Sequence, residues 1–203
     1  MVKRVLAITG SYREGGITDA AVAAVLAGAR GQGAETEVLR LADHDLRFCT
    51  NCRACTQEPG PSRGACVQQD GLAGILAKVE AADALVLASP VNFYNATALF
   101  RRFLERLLGF AYWPWGARRG PGLRDPRPAR KAVLVASAAM PGPLLPLGTG
   151  APKALKVAAA ALGARPVGRL WIGLVGTQPR EQLSARVQAR AEALGRRLVK
   201  AGG

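Results

Sequence analysis

VKRVLAITG (Val2–Gly10) runs directly into SYREGGITD (Ser11–Asp19), and this junction decides how the rest of the chain is read. The first stretch is largely β-branched or aliphatic and stops at glycine, the mark of a buried strand. The loop then supplies hydroxyls at Ser11 and Thr18, a Gly15–Gly16 pair that permits close backbone approach, and a cation at Arg13. AAVAAVLAGARGQG follows as an alanine-rich helix ending at Gly31 and Gly33. Strand, polar loop and helix start form one unit of a parallel sheet, and the free N–H groups at such a helix entrance suit an anion. The frame is neither G-x-G-x-x-G nor the Walker G-x-x-x-x-G-K-[ST], because no lysine follows Gly15. The plain alternative is an ordinary capped βα turn.

The alternation continues outward from this unit. ETEVLRL (Glu35–Leu41), ALVLASPV (Ala84–Val91), KAVLVASA (Lys131–Ala138) and RPVGRLWIGLV read as four further strands. GLAGILAKVEAAD, TALFRRFLERLLG, KALKVAAAALG and EQLSARVQARAEALGRRLVKAG read as helices, with Leu99, Phe103 and Leu107 forming a stripe on the second of them. FAYWPWGARRGPGLRDPRPAR is too rich in Pro, Gly and Arg to be regular, and MPGPLLPLGTGAP reads as a loop. Five strands alternating with helices predict an α/β fold, a doubly wound parallel sheet covered on both faces. The strand count points to a flavodoxin-like three-layer sandwich with a five-stranded sheet in the order 2-1-3-4-5. One domain is expected over 1–203, with a cysteine-containing loop at about 43–70 and a Trp/Arg/Pro-rich excursion at about 110–130.

Composition narrows the function. The 203 residues carry a formal net charge of +14, so polyanions must be considered. No zinc-finger spacing, helix-turn-helix or aromatic-basic RNA motif accompanies the arginines, and nucleic acid is not expected as a partner. A basic field also suits an anionic cofactor. No signal-peptide pattern and no apolar run of membrane-spanning length is visible, so the expected location is the cytoplasm, with no membrane partner.

In open parallel sheets ligands bind at the carboxyl ends of the strands, at the topological switch point. SPVNFYNAT (Ser89–Thr97) leaves the third strand there: Pro90 fixes the chain, and Asn92, Phe93, Tyr94 and Asn95 offer amides and planar rings suited to a flat heteroaromatic ring. Ser137 emerges first after the fourth strand.

These blocks carry a family resemblance. GSYREGGITD resembles the G-S-x-R-x-x-G-x-T phosphate loop of NAD(P)H-dependent FMN reductases, and SPVNFYNATALFRRFLERL resembles that family's S-P-x-x-x-x-x-x-x-x-L-K-x-F-x-D-R-L block. The resemblance implies FMN with its phosphate held by Ser11, Arg13, Gly16, Ile17 and Thr18. It places the ring system against Pro90, Val91, Asn92, Phe93, Tyr94 and Asn95, with help from Ser137. It further implies NAD(P)H as co-substrate, a small-molecule acceptor such as a quinone, free flavin, azo dye or metal ion, and no catalytic acid–base group. Ile17 stands where Asn or Ser is frequent, so only its backbone N–H is expected to bind phosphate; Arg101 and Glu105 stand for the frequent Lys and Asp. A homodimer or homotetramer is expected, with Trp113–Trp115 at its interface or capping the flavin.

The four cysteines form C-x2-C-x2-C-x10-C: Cys49, Cys52, Cys55 and Cys66. Compact C-x2-C-x2-C spacing suits an iron–sulfur cube, zinc usually takes two separated knuckles, and a redox disulfide needs only one C-x-x-C. The run resembles the compact motif of iron-sulfur flavoproteins, a branch of the same superfamily with a [4Fe-4S] cluster, in which the last gap is shorter. Cluster, zinc and metal-free thiols therefore stay open. His44 is expected on the surface, and Asp43, Asp45 and Asp70 as loop caps.

Overall fold

The computed structural model describes residues 4–178 and 182–200. Val2 and Lys3 of the first expected strand, and Glu181, Ala201 and Gly202 of the closing helix, lie outside the described residues.

The elements follow in the order β1 (Arg4–Thr9), α1 (Ile17–Arg30), β2 (Glu35–Arg40), α2 (Leu72–Ala81), β3 (Ala84–Asn92), β4 (Asn95–Ala96) and α3 (Ala98–Arg106). Then come β5 (Ala111–Tyr112), β6 (Gly122–Leu123), β7 (Arg130–Ser137), α4 (Leu145–Gly148), α5 (Ala151–Ala161), β8 (Ala164–Ile172) and α6 (Ala185–Val199). The long strands pair in parallel in the order β2-β1-β3-β7-β8. Numbered among themselves, these five strands run 2-1-3-4-5. The chain steps out to β2 and returns across β1 to β3, so the switch point lies between β1 and β3. β4 adds a sixth, short antiparallel strand on the end of β3, through Val91 with Ala96 and Asn92 with Asn95.

Strand side chains alternate between two layers because the side-chain period of a strand is two. Leu6, Ile8, Leu85, Leu87 and Leu134 face α2, α3 and α5; Val5, Ala7, Val86, Ala88, Val133 and Val135 face α1 and α6. The second layer uses smaller side chains and a closer helix crossing. A Cβ on Gly28 would lie 2.0 Å from the Glu192 carbonyl oxygen, and one on Gly195 1.9 Å from that of Val25. Only glycine at both positions lets α1 and α6 approach this far.

Two expectations change. The buried stripe is Phe100 and Phe103 in α3 and Leu107 just past its end, with Leu99 only partly covered. Phe100 and Phe103 meet edge-to-face at 6.2 Å, so the helix turns to bury both rings. The excursion is also not wholly irregular: β5 and β6 form a two-stranded antiparallel ribbon around Trp113–Pro121. Among the described residues no helix is long and apolar enough to cross a membrane.

Candidate functional site

A cavity of about 370 Å³ opens at the carboxyl ends of β1, β3, β7 and β8. Ser11, Arg13, Gly16, Ile17, Thr18, Pro90, Val91, Asn92 and Ser137 all line it. The backbone around β1 sets its floor. Gly10 N–H donates to the Ala88 carbonyl at 2.9 Å, extending the β1–β3 pairing, and Thr97 Oγ1 donates to the Gly10 carbonyl at 2.7 Å. A Cβ on Gly10 would lie 2.7 Å from Phe100 Cβ and 2.9 Å from Thr97 Oγ1, so this crossing requires glycine.

The loop from Ser11 to Gly16 is shaped by short-range bonds. Ser11 Oγ donates to the Arg13 carbonyl at 2.9 Å, and Gly15, at φ +67°, donates its N–H to Asp19 Oδ2 at 3.1 Å. The chain enters α1 at Gly16 with no side-chain cap. By contrast, α3 is capped by Thr97 and α6 by Ser184. The first turn of α1 therefore keeps backbone donors facing the cavity side, the arrangement that favours an anion. Asp19 would oppose that field, but Arg40 neutralises it at 2.6 Å. Across the cavity the buried hydroxyls of Thr18 and Ser137 lie 2.8 Å apart, tying the end of β7 to α1.

This geometry passes the test for a phosphate-bearing flat cofactor: an uncapped helix start, Arg13 and the hydroxyl residues Ser11, Thr18 and Ser137 share one lining with an apolar wall of Val91, Ala138, Ala139 and Val175. Phe93, Tyr94 and Asn95 stand outside that wall. Phe93 is 93% and Tyr94 73% exposed, both with positive φ (46° and 64°), and the two rings meet edge-to-face at 6.1 Å. Asn95 turns its amide toward Gly150 and accepts from the Ala96 N–H. The structure adds Tyr12, Thr97, Ala138, Ala139, Val175, Gly176 and Gln178 to the lining. Val175, Gly176 and Gln178 leave the end of the fifth long strand, so the rule that located the other loops also applies to this one.

The cysteine loop lies beyond β2 and has no sheet to hold it. All four thiols are free. Asn51 and Arg53 take left-handed backbone angles (φ 52° and 58°), folding the run back on itself, and a 3-10 turn begins at Ala54. Gly64 passes so close to Cys55 that a Cβ there would lie 1.8 Å from the Cys55 carbonyl oxygen. Burial pushes the Cys55 thiol above its ordinary pKa, and the charges of Cys66, Cys49 and Cys52 raise it further. Asn51 N–H donates to Cys49 Sγ and Arg106 Nη2 to Cys66 Sγ, each at 3.4 Å. By donor type this is a soft-metal or cluster set. Among the described residues, however, no three Cys, His, Asp or Glu side chains form a group able to hold a metal, so no ligand set is assigned.

Asp70 does more than cap a loop. Its carboxylate accepts from Arg47 and Leu72 N–H and pairs with Arg106, both side chains being essentially fully buried. Burial alone would raise its pKa; hydrogen bonds from Arg106, Arg47 and Leu72 and the Arg106 charge hold it below the ordinary carboxylate range. His44 is half-buried rather than fully exposed. A separate, larger cavity of about 680 Å³ lies between α3, α5 and the β5–β6 ribbon; apart from Cys49, Asn51 and Glu105 its lining is apolar. It lacks the convergent polar donors of the sheet-edge cavity.

The comparisons with known proteins bear on family and fold. The family model described as NADPH-dependent FMN reductase matches residues 3–174. An iron-sulfur flavoprotein of Archaeoglobus fulgidus is 32% identical over 111 residues, covering 55% of this chain and 48% of that protein. The chain spans about half or less of the length of the curated relatives that it matches. Among solved structures, an NAD(P)H:quinone oxidoreductase from Methanothermobacter marburgensis superposes with a TM-score of 0.66 at 15% identity, covering 100% of both chains. A flavodoxin from the domain Archaea gives 0.56 at 13%, covering 96% of this chain and 95% of that one. At such identities these structures establish the flavodoxin-like fold, and the family match over most of the sequence establishes the rest: the chain belongs to the NADPH-dependent FMN reductase family.

Proposed function

We propose that the chain binds FMN in the sheet-edge cavity and passes electrons from NAD(P)H to a small acceptor such as a quinone or a free flavin. The observation that carries this reading is the uncapped first turn of α1 opening, beside Arg13 and the Thr18–Ser137 hydroxyl pair, into a cavity at the β1/β3 switch point. When bound, the flavin supplies the hydride chemistry. The protein's part is to hold the phosphate with Ser11, Arg13, Thr18 and the N–H groups of Gly16 and Ile17. Pro90, Val91 and Asn92 seat the ring edge, and no acid–base group is required. Phe93 and Tyr94, exposed beside the cavity mouth, are free to close over a second substrate. Fluorescence titration of FMN, followed by anaerobic addition of NADPH and NADH, tests the reading. Stoichiometric binding with bleaching by either nicotinamide is expected; a chain that binds no FMN overturns it.

A second reading is an electron carrier that adds an iron–sulfur cluster at Cys49, Cys52, Cys55 and Cys66. It is favoured by the relatives named iron-sulfur flavoprotein and by four free thiols within electrostatic reach of one another. Free thiols also suit a cytoplasmic setting. Iron and sulfide analysis of anaerobically purified protein separates it from the flavin-only enzyme. We also read the chain as a homo-oligomer, because the apolar cavity between α3 and α5 leaves Val157 and Leu123 at the surface. Light scattering on a sizing column tests this.

A further inference from the structure

The cysteine loop and the β5–β6 ribbon are fastened to each other by two arginines, one from each side. Arg53, between Cys52 and Cys55, reaches into the ribbon. Its guanidinium carbon lies 3.5 Å from the ring centroid of Trp113 and 4.1 Å from that of Trp115. One of its amino groups donates to the carbonyls of Trp113 at 2.6 Å and Pro114 at 3.0 Å. Arg124, just after β6, reaches the other way. It donates to the carbonyls of Gly109 at 3.0 Å, Glu58 at 2.7 Å, Gly60 at 3.1 Å and Cys55 at 3.1 Å. Backbone bonds from Trp113 N–H to Thr56 and from Gly64 N–H to Gly109 close the same seam.

A planar guanidinium is suited to this task, because it stacks flat on aromatic faces while its edge forks onto carbonyls; an ammonium can sit over a ring only as a point charge and cannot fork. The segment it holds contains Pro59, Gly60, Pro61 and Gly64 and lies outside the sheet, so its carbonyls have no strand partners. All six carbonyl groups that Arg53 and Arg124 address lie within five residues of Cys55 or Trp113.

We propose that Arg53 and Arg124 are positioning residues of the thiol site: together they fix the Cys52–Cys55 turn against the ribbon, so that the thiols are presented in one arrangement whatever they hold. The clasp stands independently of flavin binding. Cys66 is anchored separately, through Arg106 and Asp70 on the α3 side.

The test is per-cysteine alkylation by iodoacetamide, read by mass spectrometry on the full chain after reduction and chelator treatment. Arg53→Ala and Arg124→Ala are expected to speed modification of the half-buried Cys55 about tenfold, the size of a modest shift in a local opening equilibrium, while Cys52, exposed already, changes little. Cys66 keeps its rate and the FMN content stays that of the parent protein. Arg53→Lys, which keeps charge but not the stacked plane, should behave as Arg53→Ala; full rescue by lysine would reduce the clasp to charge alone and overturn it. An unchanged Cys55 rate in both alanine variants, or equal acceleration at all four cysteines, also overturns it. Should Arg53→Ala not fold, Trp115→Ala, at an exposed ring, removes one of the two rings that Arg53 contacts and carries the same expectation. A parent protein that binds no FMN defeats the flavin reading and leaves this measurement intact.

Discussion

The two sites of this chain are held in opposite ways. At the sheet-edge cavity, placement comes from main chain: β1, β3 and β7 end at one edge, Gly10 pairs with Ala88, and one hydroxyl pair closes the far side. The thiol loop lies outside the main sheet, and apart from two backbone bonds its placement comes from side chains, with Arg53, Arg106 and Arg124 supplying donors to carbonyls, a carboxylate and a sulfur. A main-chain site depends on strand register and on glycine. A side-chain site depends on a few guanidinium groups and is vulnerable at each of them.

The largest test falls on the second kind. Arg106→Ala leaves the Asp70 carboxylate buried without its partner and should cost about 3–5 kcal/mol in urea unfolding. Asp70→Asn gives this a pH signature. Because the folded carboxyl lies below its ordinary range, its stabilisation is complete above about pH 4 and fades as pH falls through the lowered value. The stability gap between parent and Asp70→Asn should therefore narrow only in acid. A pH-independent gap would mean that the pair acts by shape alone.

Gly10→Ala probes the main-chain site. The added methyl meets Phe100 and Thr97, and about 1–3 kcal/mol of overpacking is expected. FMN affinity should fall with it, because the loop from Ser11 starts at the displaced residue. Thr18→Val removes the bond to Ser137 and should cost about 1 kcal/mol in unfolding. Smallest is Phe93→Ser: this exposed ring supports neither site's frame, and stability should stay within about 0.5 kcal/mol of the parent. A larger loss there would show that the exposed mouth is part of the frame after all.

The same contrast explains what could be read from the chain alone. Runs such as KAVLVASA and ALVLASPV announce buried strands, and the switch-point rule then locates the loops at Ser11–Thr18 and Pro90–Asn92, because register leaves few alternatives. Phe93 and Tyr94 are harder: their residue types suit a ring-binding wall, but left-handed backbone angles turn them outward, and composition does not encode that. Arg53, Arg106 and Arg124 sit among many arginines in a strongly basic chain, and nothing local marks the three that lock the thiol loop. Their partners are 15 to 69 residues away in sequence. Asp70 looked like a loop cap for the same reason. Its cap on Leu72 is local, but its pairing with Arg106 is not.

Helix α3 joins the two regimes. Its cap, Thr97, lines the sheet-edge cavity and grips Gly10, while its last residue, Arg106, grips Cys66 and Asp70. Nine residues at 1.5 Å each make it a spacer of about 14 Å. Its length is consequently non-negotiable in a way that the short Pro61–Ser62 stretch's is not. A single residue inserted into α3 would swing Arg106 about 100° around the helix axis and off its partners, whereas extra residues at Pro61–Ser62, past the carbonyls that Arg124 holds, only lengthen a surface loop. Length variation among descendants of this chain should therefore gather between Cys55 and Cys66 and be absent between Thr97 and Arg106.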